Sequence, residues 1–238
     1  MDRKQFLKNV TLAGIVSPIL ALCKQEDVEP TIPEPDNTPP NTGCVVTDTE
    51  TAGPFPLYNS RGSSINRIDV ADGKTGVPLN IDITIKNVNA NCEPISNARV
   101  DIWHCDKDGY YSGYTNSGYL GTQNNSAHVF CRGLQYTDAN GLVKFISIYP
   151  GWYPGRVTHI HVQVYVNNAL KLTSQIAFPE AINTAVYNTS LYSQHGQNPT
   201  KNSNDNIIRD SLDNELAVVT ANSATGGYDL THTIFISA

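Results

Sequence analysis

From Leu79 onward the chain alternates apolar and polar residues over short runs. "LNIDITIKNV", "ARVDIWHC", "LVKFISIYP", "HIHVQVYVN" and "LTSQIAF" each carry apolar side chains at alternate positions, the period of a half-buried strand. Turn-forming clusters separate them, among them "DKDGYYSG", "TDANG" and "VNNA", where Gly, Asn and Asp supply backbone conformations that strands cannot. "GGYDLTHTIFIS" closes the chain as a last strand. Helical periodicity is weak and confined to "PEAINTAVY" and "NDNIIRDSL". There is no internal repeat. Short strands at regular turn spacing predict an all-β domain, an antiparallel β-sandwich carrying long loops.

The pattern changes before Cys44. "MDRKQFLKNV" is a basic start, and "TLAGIVSPILALC" is an apolar stretch too brief and too interrupted to span a bilayer. "RKQFLK" resembles a twin-arginine export signal with Lys4 in place of the second arginine. Residues 1–23 are therefore expected to be an export or lipoprotein-type signal segment, with Cys23 as the point of a membrane tether. Leu22 departs from the small residue usual before an acylated cysteine. A hydrophobic first helix docked on the domain is the competing reading, and the proline-rich tract that follows argues against it. That tract, "EDVEPTIPEPDNTPPNTG", has little to bury and several prolines with fixed φ, so residues 24–43 read as an extended tether. The folded domain then runs from 44 to 238, in an exported protein of the periplasm, cell surface or extracellular space.

A length of 238 residues accommodates one domain with a sizeable core. The formal net charge of −6 comes with no basic stripe to neutralise phosphates, which excludes a nucleic-acid partner. Cys44, Cys92, Cys105 and Cys131 make an even number in an exported chain, so two disulfides are expected. Spacing allows three pairings. Cys44–Cys92 and Cys105–Cys131 are favoured, the second tying the ends of the loop after Trp103. A zinc site built from these four would compete, but no CxxC pair is present.

The stretch "PGWYPGRVTHIHVQV" carries the candidate chemistry. In a strand, residues two apart share a face, so His159 and His161 can reach one point from a rigid base. Such a pair binds Zn, Cu, Fe or Ni without choosing among them, and taken alone an HxH fits two solvated histidines equally well. Tyr153 and Arg156 lie on the connection feeding this strand, and Tyr111 lies in "DGYYSGY". Two tyrosines with two histidines suit a strongly Lewis-acidic ion. A phenol with a pKa near 10 ionises near neutrality only when a strong cation binds its oxygen. Ferric iron can do this, whereas zinc sites normally use Cys, His and carboxylate.

The chain resembles the intradiol ring-cleavage dioxygenases, the family of protocatechuate and catechol dioxygenases. The resemblance rests on "TAGPFP", "INRIDV", "CEPISNARVDIWHCDKDGYYSGY", "CRGLQYTDANGLVKF", "IYPGWYPGRVTHIHVQV" and "LTSQIAFPE", in order and over nearly the whole domain. It is closest in character to the shorter exported members, which lack a helical dimerisation segment. It implies a β-sandwich and one Fe(III) per chain held by Tyr111, Tyr153, His159 and His161. It also implies Arg156 and Gln175 on the substrate side, with Tyr153 doubling as a base. The partners implied are a catechol-type aromatic and O2, and the product is a muconate-type diacid. Tyr110, Tyr114 and Tyr149 fall outside the implied ligand set. Trp103 reads as core and His104 as a hydrogen-bonding neighbour, while His128, His195 and His232 read as ordinary surface or loop histidines. Ala52 stands where the family's opening motif usually has glutamate, a departure that touches local contacts and not the metal.

Two other classes stay open at this point. One is an exported binding β-sandwich that keeps the fold without turnover. The other is a Zn or Cu enzyme using only the HxH pair. The loops "NSGYLGTQNNSAHVF" and "NTSLYSQHGQNP" are expected to line the site and to select ring substituents.

Overall fold

The computed structural model describes residues 44–56 and 64–238. The signal segment and the proline-rich tether therefore lie outside the described residues.

Strand β1, Pro78–Asn87, shows how the alternation folds: Leu79, Ile81, Ile83 and Ile85 are fully buried, while the intervening Asn80, Asp82 and Thr84 look outward. Around it stand β2 (Glu93–Pro94), β7 (Leu142–Ile148), β10 (Val218–Asn222) and β11 (Gly227–Ile236), which form one sheet with β1 at its centre. The second sheet has the order β6–β3–β8–β9, from Arg132–Tyr136, Arg99–Trp103, His159–Val166 and Ala169–Ala177. The inner faces of the two sheets supply one continuous core that includes Ile81, Ile83, Val100, Ile102, Phe145, Ile160, Val162 and Ile234. The expected β-sandwich is present, with antiparallel pairing throughout the second sheet.

One pairing differs from the expectation. β1 and β11 run parallel, from Leu79 opposite Tyr228 to Asn87 opposite Ile236. Parallel neighbours need a long connection, and here nearly the whole domain lies between them.

Several elements are absent from the hydrophobic pattern. β4 (Thr115–Gly118) and β5 (Gly121–Asn124) form a hairpin within the stretch expected to be loop. Their sequences, TNSG and GTQN, carry no apolar alternation because neither face meets the core. β10, the short β6 and the two-residue β2 were equally silent. Of the two expected helices, α1 (Glu180–Tyr187) forms, but the second shrinks to one turn, α2 (Leu212–Glu215), with hydrogen-bonded turns over most of "NDNIIRDSL". Asp205 opens this stretch as a cap, its Oδ1 accepting the N–H groups of Ile207 (2.8 Å) and Ile208 (3.3 Å), but turns and not a helix follow until Leu212.

Cys44 and Cys92 are disulfide-bonded, with 5.8 Å between Cα atoms. The second expected bond is not formed, for Cys105 and Cys131 are free buried thiols. They pack into different clusters, Cys105 with Trp103 and Tyr111, Cys131 with Tyr110, Phe130 and Ile148.

Candidate active site

Trp103, His161 and Gln175 are register partners on β3, β8 and β9, so they form one row across the sheet. Ile160, Val162 and Val164 of β8 face the core, which turns His159 and His161 to the opposite face. All four residues from His159 to Val162 are nevertheless buried, because loops close over that face. A half-exposed strand becomes a doubly covered one here, and this is where the site lies.

His159 Nδ1 lies 2.6 Å from the Val157 carbonyl, to which it donates. That bond fixes the tautomer and leaves the Nε2 lone pair free. The two Nε2 atoms of His159 and His161 stand 3.1 Å apart. The Tyr153 hydroxyl is 3.2 Å from His159 Nε2 and 3.5 Å from the Tyr111 hydroxyl. Four donor atoms thus converge as the sequence suggested. Trp103 stacks on the His161 ring at 5.0 Å and 6°, and Phe55 stacks on Tyr111 at 4.9 Å.

Two loops bring the tyrosines together, and Asp106 ties them. Its Oδ1 accepts the N–H groups of Asp108 (3.1 Å) and Tyr110 (3.0 Å), and its Oδ2 accepts Lys74 Nζ at 2.7 Å. Its carbonyl accepts the Gly151 N–H of the Tyr153 loop at 3.1 Å. Gly109, at φ +86°, lets the loops touch: a Cβ there would stand 2.8 Å from the Trp152 carbonyl oxygen.

Burial drives the electrostatics. It lowers His159 to about 3 and His161 well below the usual imidazole range, with the Arg156 charge contributing to both, so both rings are neutral ligands in waiting. Burial raises the phenols, Tyr153 to about 12 and Tyr111 well above its ordinary value. Without a cation both tyrosines keep their protons; a strongly Lewis-acidic ion among the four donors would take their place. Among the described residues, no group of three or more His, Cys, Asp or Glu side chains comes together to hold a metal. The donor set is two phenols and two imidazoles, which fits ferric iron better than zinc.

Beside this cluster lies Arg156. Its Nη2 donates to Gln175 Oε1, and its Nε donates to Asp205 Oδ2 at 2.9 Å. Gln175 Nε2 in turn donates to the Thr51 carbonyl at 2.9 Å. The residues that sequence reasoning missed are Asp205, Asp106, Phe55 and Gly53. For Asp106 a signal existed, since aspartate four residues before a buried tyrosine in a Gly-containing turn marks a side-chain-to-backbone clasp. For Asp205 none did, because 49 residues separate it from Arg156.

The other aromatic and imidazole groups divide as follows. Tyr110 donates to the Gly121 carbonyl at 2.9 Å, Tyr114 to that of Pro56 at 3.0 Å and Tyr149 to Asn183 at 2.8 Å, so each phenol is engaged elsewhere. His104 is held between the Cys105 carbonyl (2.7 Å) and the Ser147 hydroxyl (2.8 Å), and burial lowers it to about 4. His128 is exposed as expected. His195 and His232 are not ordinary surface groups. The first stacks on Trp152 at 4.0 Å with Tyr119 of the β4–β5 turn on it at 4.5 Å. The second lies half-buried in β11, lowered to about 4 by burial. Ala52 packs against the Trp103, Cys105 and Tyr111 cluster, where a glutamate would bring a carboxylate.

A dioxygenase family model matches residues 55–186. The chain is 31% identical over 108 residues to a hydroxyquinol 1,2-dioxygenase of Corynebacterium glutamicum, covering 45% of this chain and 32% of that protein. It is 26% identical over 148 residues to a hydroxyquinol 1,2-dioxygenase of Rhodococcus opacus, covering 55% and 45%. The matches thus span between about a third and about a half of these curated relatives. Among solved structures, an intradiol ring-cleavage dioxygenase from Tetranychus urticae is 26% identical, with a TM-score of 0.71 over 82% of this chain and 95% of that one.

Proposed function

The chain belongs to the intradiol ring-cleavage dioxygenase family, and from that premise we propose that it cleaves a catechol-type aromatic between its two hydroxyls, using O2 and one non-haem Fe(III) to give a muconate-type diacid. The observation that carries this reading is the convergence of two phenol oxygens with two neutral imidazole Nε2 atoms.

Tyr111, Tyr153, His159 and His161 would hold the metal. Ferric iron, when bound, supplies the Lewis acidity that activates a chelating catechol toward O2. The protein's own groups do the rest. Val157 and Trp103 fix the orientation of the two imidazoles. Phe55 and Trp103 exclude water from one side of the cluster. Tyr153 is half-buried where Tyr111 is fully buried, so its Oη, once a bound cation has displaced its own proton, would be the better placed of the two to accept a proton from an incoming catechol hydroxyl. Arg156, fixed against Gln175, places a cation where negative charge grows on the ring.

The curated relatives are hydroxyquinol 1,2-dioxygenases, which makes hydroxyquinol and plain catechol the first substrates to try. Export, with a tether through Cys23, is proposed from residues 1–23. The test is O2 uptake by the iron-loaded protein over a panel of catechol, substituted catechols and hydroxyquinol, with the diacid identified by mass. Stoichiometric O2 consumption with ring opening is the expected result. Iron-loaded protein that binds catechols without consuming O2 would leave the binding-module reading, and stoichiometric zinc with no colour would leave the HxH-only one.

A further inference from the structure

What stands behind Arg156 is as well defined as what it faces. Asp205 is fully buried. Its Oδ2 receives Arg156 Nε at 2.9 Å and the Val157 N–H at 2.8 Å, while its Oδ1 receives the N–H groups of Ile207 and Ile208. The carboxylate is therefore anchored by three backbone donors and has one position available. Those donors, with Arg156, hold it ionised, below the usual carboxylate range despite its burial. On the opposite side of the guanidinium, Gln175 is also fully buried and is fixed to the Thr51 carbonyl. The Arg156 carbonyl accepts Asn198 Nδ2 at 2.9 Å, which pins the backbone as well. Val157, the residue whose N–H meets Asp205, is also the one whose carbonyl orients His159.

We propose that Asp205 is a positioning residue for the reaction. It clamps the Arg156 guanidinium against Gln175 at the edge of the four-donor cluster, and the segment 201–211 exists in part to deliver it. The proposal rests on the ring-cleavage reading for its effect on rate, but not for the clamp itself. A guanidinium is planar with donors in a fixed fork. With Nε held by Asp205 and Nη2 by Gln175, its plane and its distance from the cluster are both set. Without Asp205, the side chain keeps its charge but gains rotamers, and the cation no longer waits where charge develops.

The decisive variant is Asp205→Asn, which keeps an acceptor for the Ile207 and Ile208 N–H groups but turns a donor toward Arg156. Full-length protein is loaded with iron, and kcat and KM are measured by O2 uptake alongside iron content and visible spectrum. Expected is a fall in kcat of roughly ten- to hundredfold, with KM, iron content and colour little changed. In an Arg156→Ala background the same substitution should cost kcat little more, because the clamp acts on turnover through Arg156; the Val157 N–H that Asp205 also holds bears on His159 and is read separately, as iron content. An undiminished kcat, or an equal loss in both backgrounds, overturns the proposal. Should Asp205→Asn fail to fold, Asp205→Glu keeps the charge but displaces the carboxylate, and the same readings apply. A crystal structure of the iron-free variant gives a readout independent of turnover. A guanidinium displaced from Gln175 supports the clamp, and an unmoved one overturns it. Wild-type protein that consumes no O2 would sink the ring-cleavage reading and leave the clamp to be judged by that crystal structure.

Discussion

Gly53 lies against the His161 imidazole so closely that a methyl group on it would stand 3.0 Å from Cε1 and 3.3 Å from Nε2. Its φ of +66° also belongs to the region that L side chains avoid. The opening segment thus covers the His161 imidazole, and the side chain it presents at Gly53 is a hydrogen atom. Gly53→Ala should destabilise the fold by about 1–2 kcal/mol from backbone strain and loosen metal retention by tilting His161. Thermal midpoint and iron remaining after dialysis against a chelator check both effects. A variant that retains iron like the wild type would show that the imidazole is not constrained from this side.

The two histidines and two tyrosines should behave differently from Arg156. His161→Ala removes a donor from the convergent set and is expected to lose iron together with the red to burgundy colour of a phenolate-bound ferric ion. Arg156→Ala should keep both metal and colour. Its turnover should fall roughly a hundred- to a thousandfold, about 2.7–4 kcal/mol in the barrier, as for other preorganised charge partners. Metal analysis, visible spectrum and O2 uptake on the two variants separate these roles.

Glu215 makes stability depend on pH. It is fully buried and receives hydrogen bonds from the Ser174 hydroxyl (2.7 Å) and the Ser211 hydroxyl (2.8 Å), which also lies 3.1 Å from Glu50. Burial pushes its carboxyl up to about 8, the serine hydrogen bonds oppose this, and the nearby Glu50 charge adds to it. The native state therefore keeps a proton that the unfolded chain releases near its ordinary value of 4.5. The contribution is fully present below that value and falls as pH rises toward about 8, then levels off. Glu215→Gln should flatten this slope, on the order of a few kcal/mol across the window. Urea unfolding at a series of pH values measures it, and an unchanged slope would assign the pH dependence to other groups.

Peptide mapping of the protein without reductant should recover a linked Cys44–Cys92 pair and free Cys105 and Cys131. Cutting the Cys44–Cys92 bond by Cys92→Ser is expected to cost about 2–4 kcal/mol, since it releases a long loop in the unfolded state.

The histidine pair was legible in the chain because strand geometry is local, whereas Tyr111 and Tyr153 lie on loops and joined it only through the family resemblance. Two residues apart on β8 means one face, so His159 and His161 were bound to meet whatever that face opposed. The strands with alternating apolar residues were legible for the same reason, each advertising its buried side. The parallel union of β1 with β11 was not, because pairing between distant segments leaves no period in either one, and the hairpin of β4 and β5 was not, because its residues carry no apolar alternation. Asp205 shows the limit most clearly. Nothing within reach of it along the chain distinguishes it from other loop aspartates. Only the folding of segment 201–211 against the corner after Tyr153 brings its carboxylate to the Arg156 guanidinium. Residue types, with short-range spacing for the histidine pair, determined which donor side chains this protein offers. Which charges stand behind them was decided by tertiary packing, since electrostatic partners are chosen by distance in space and not along the chain.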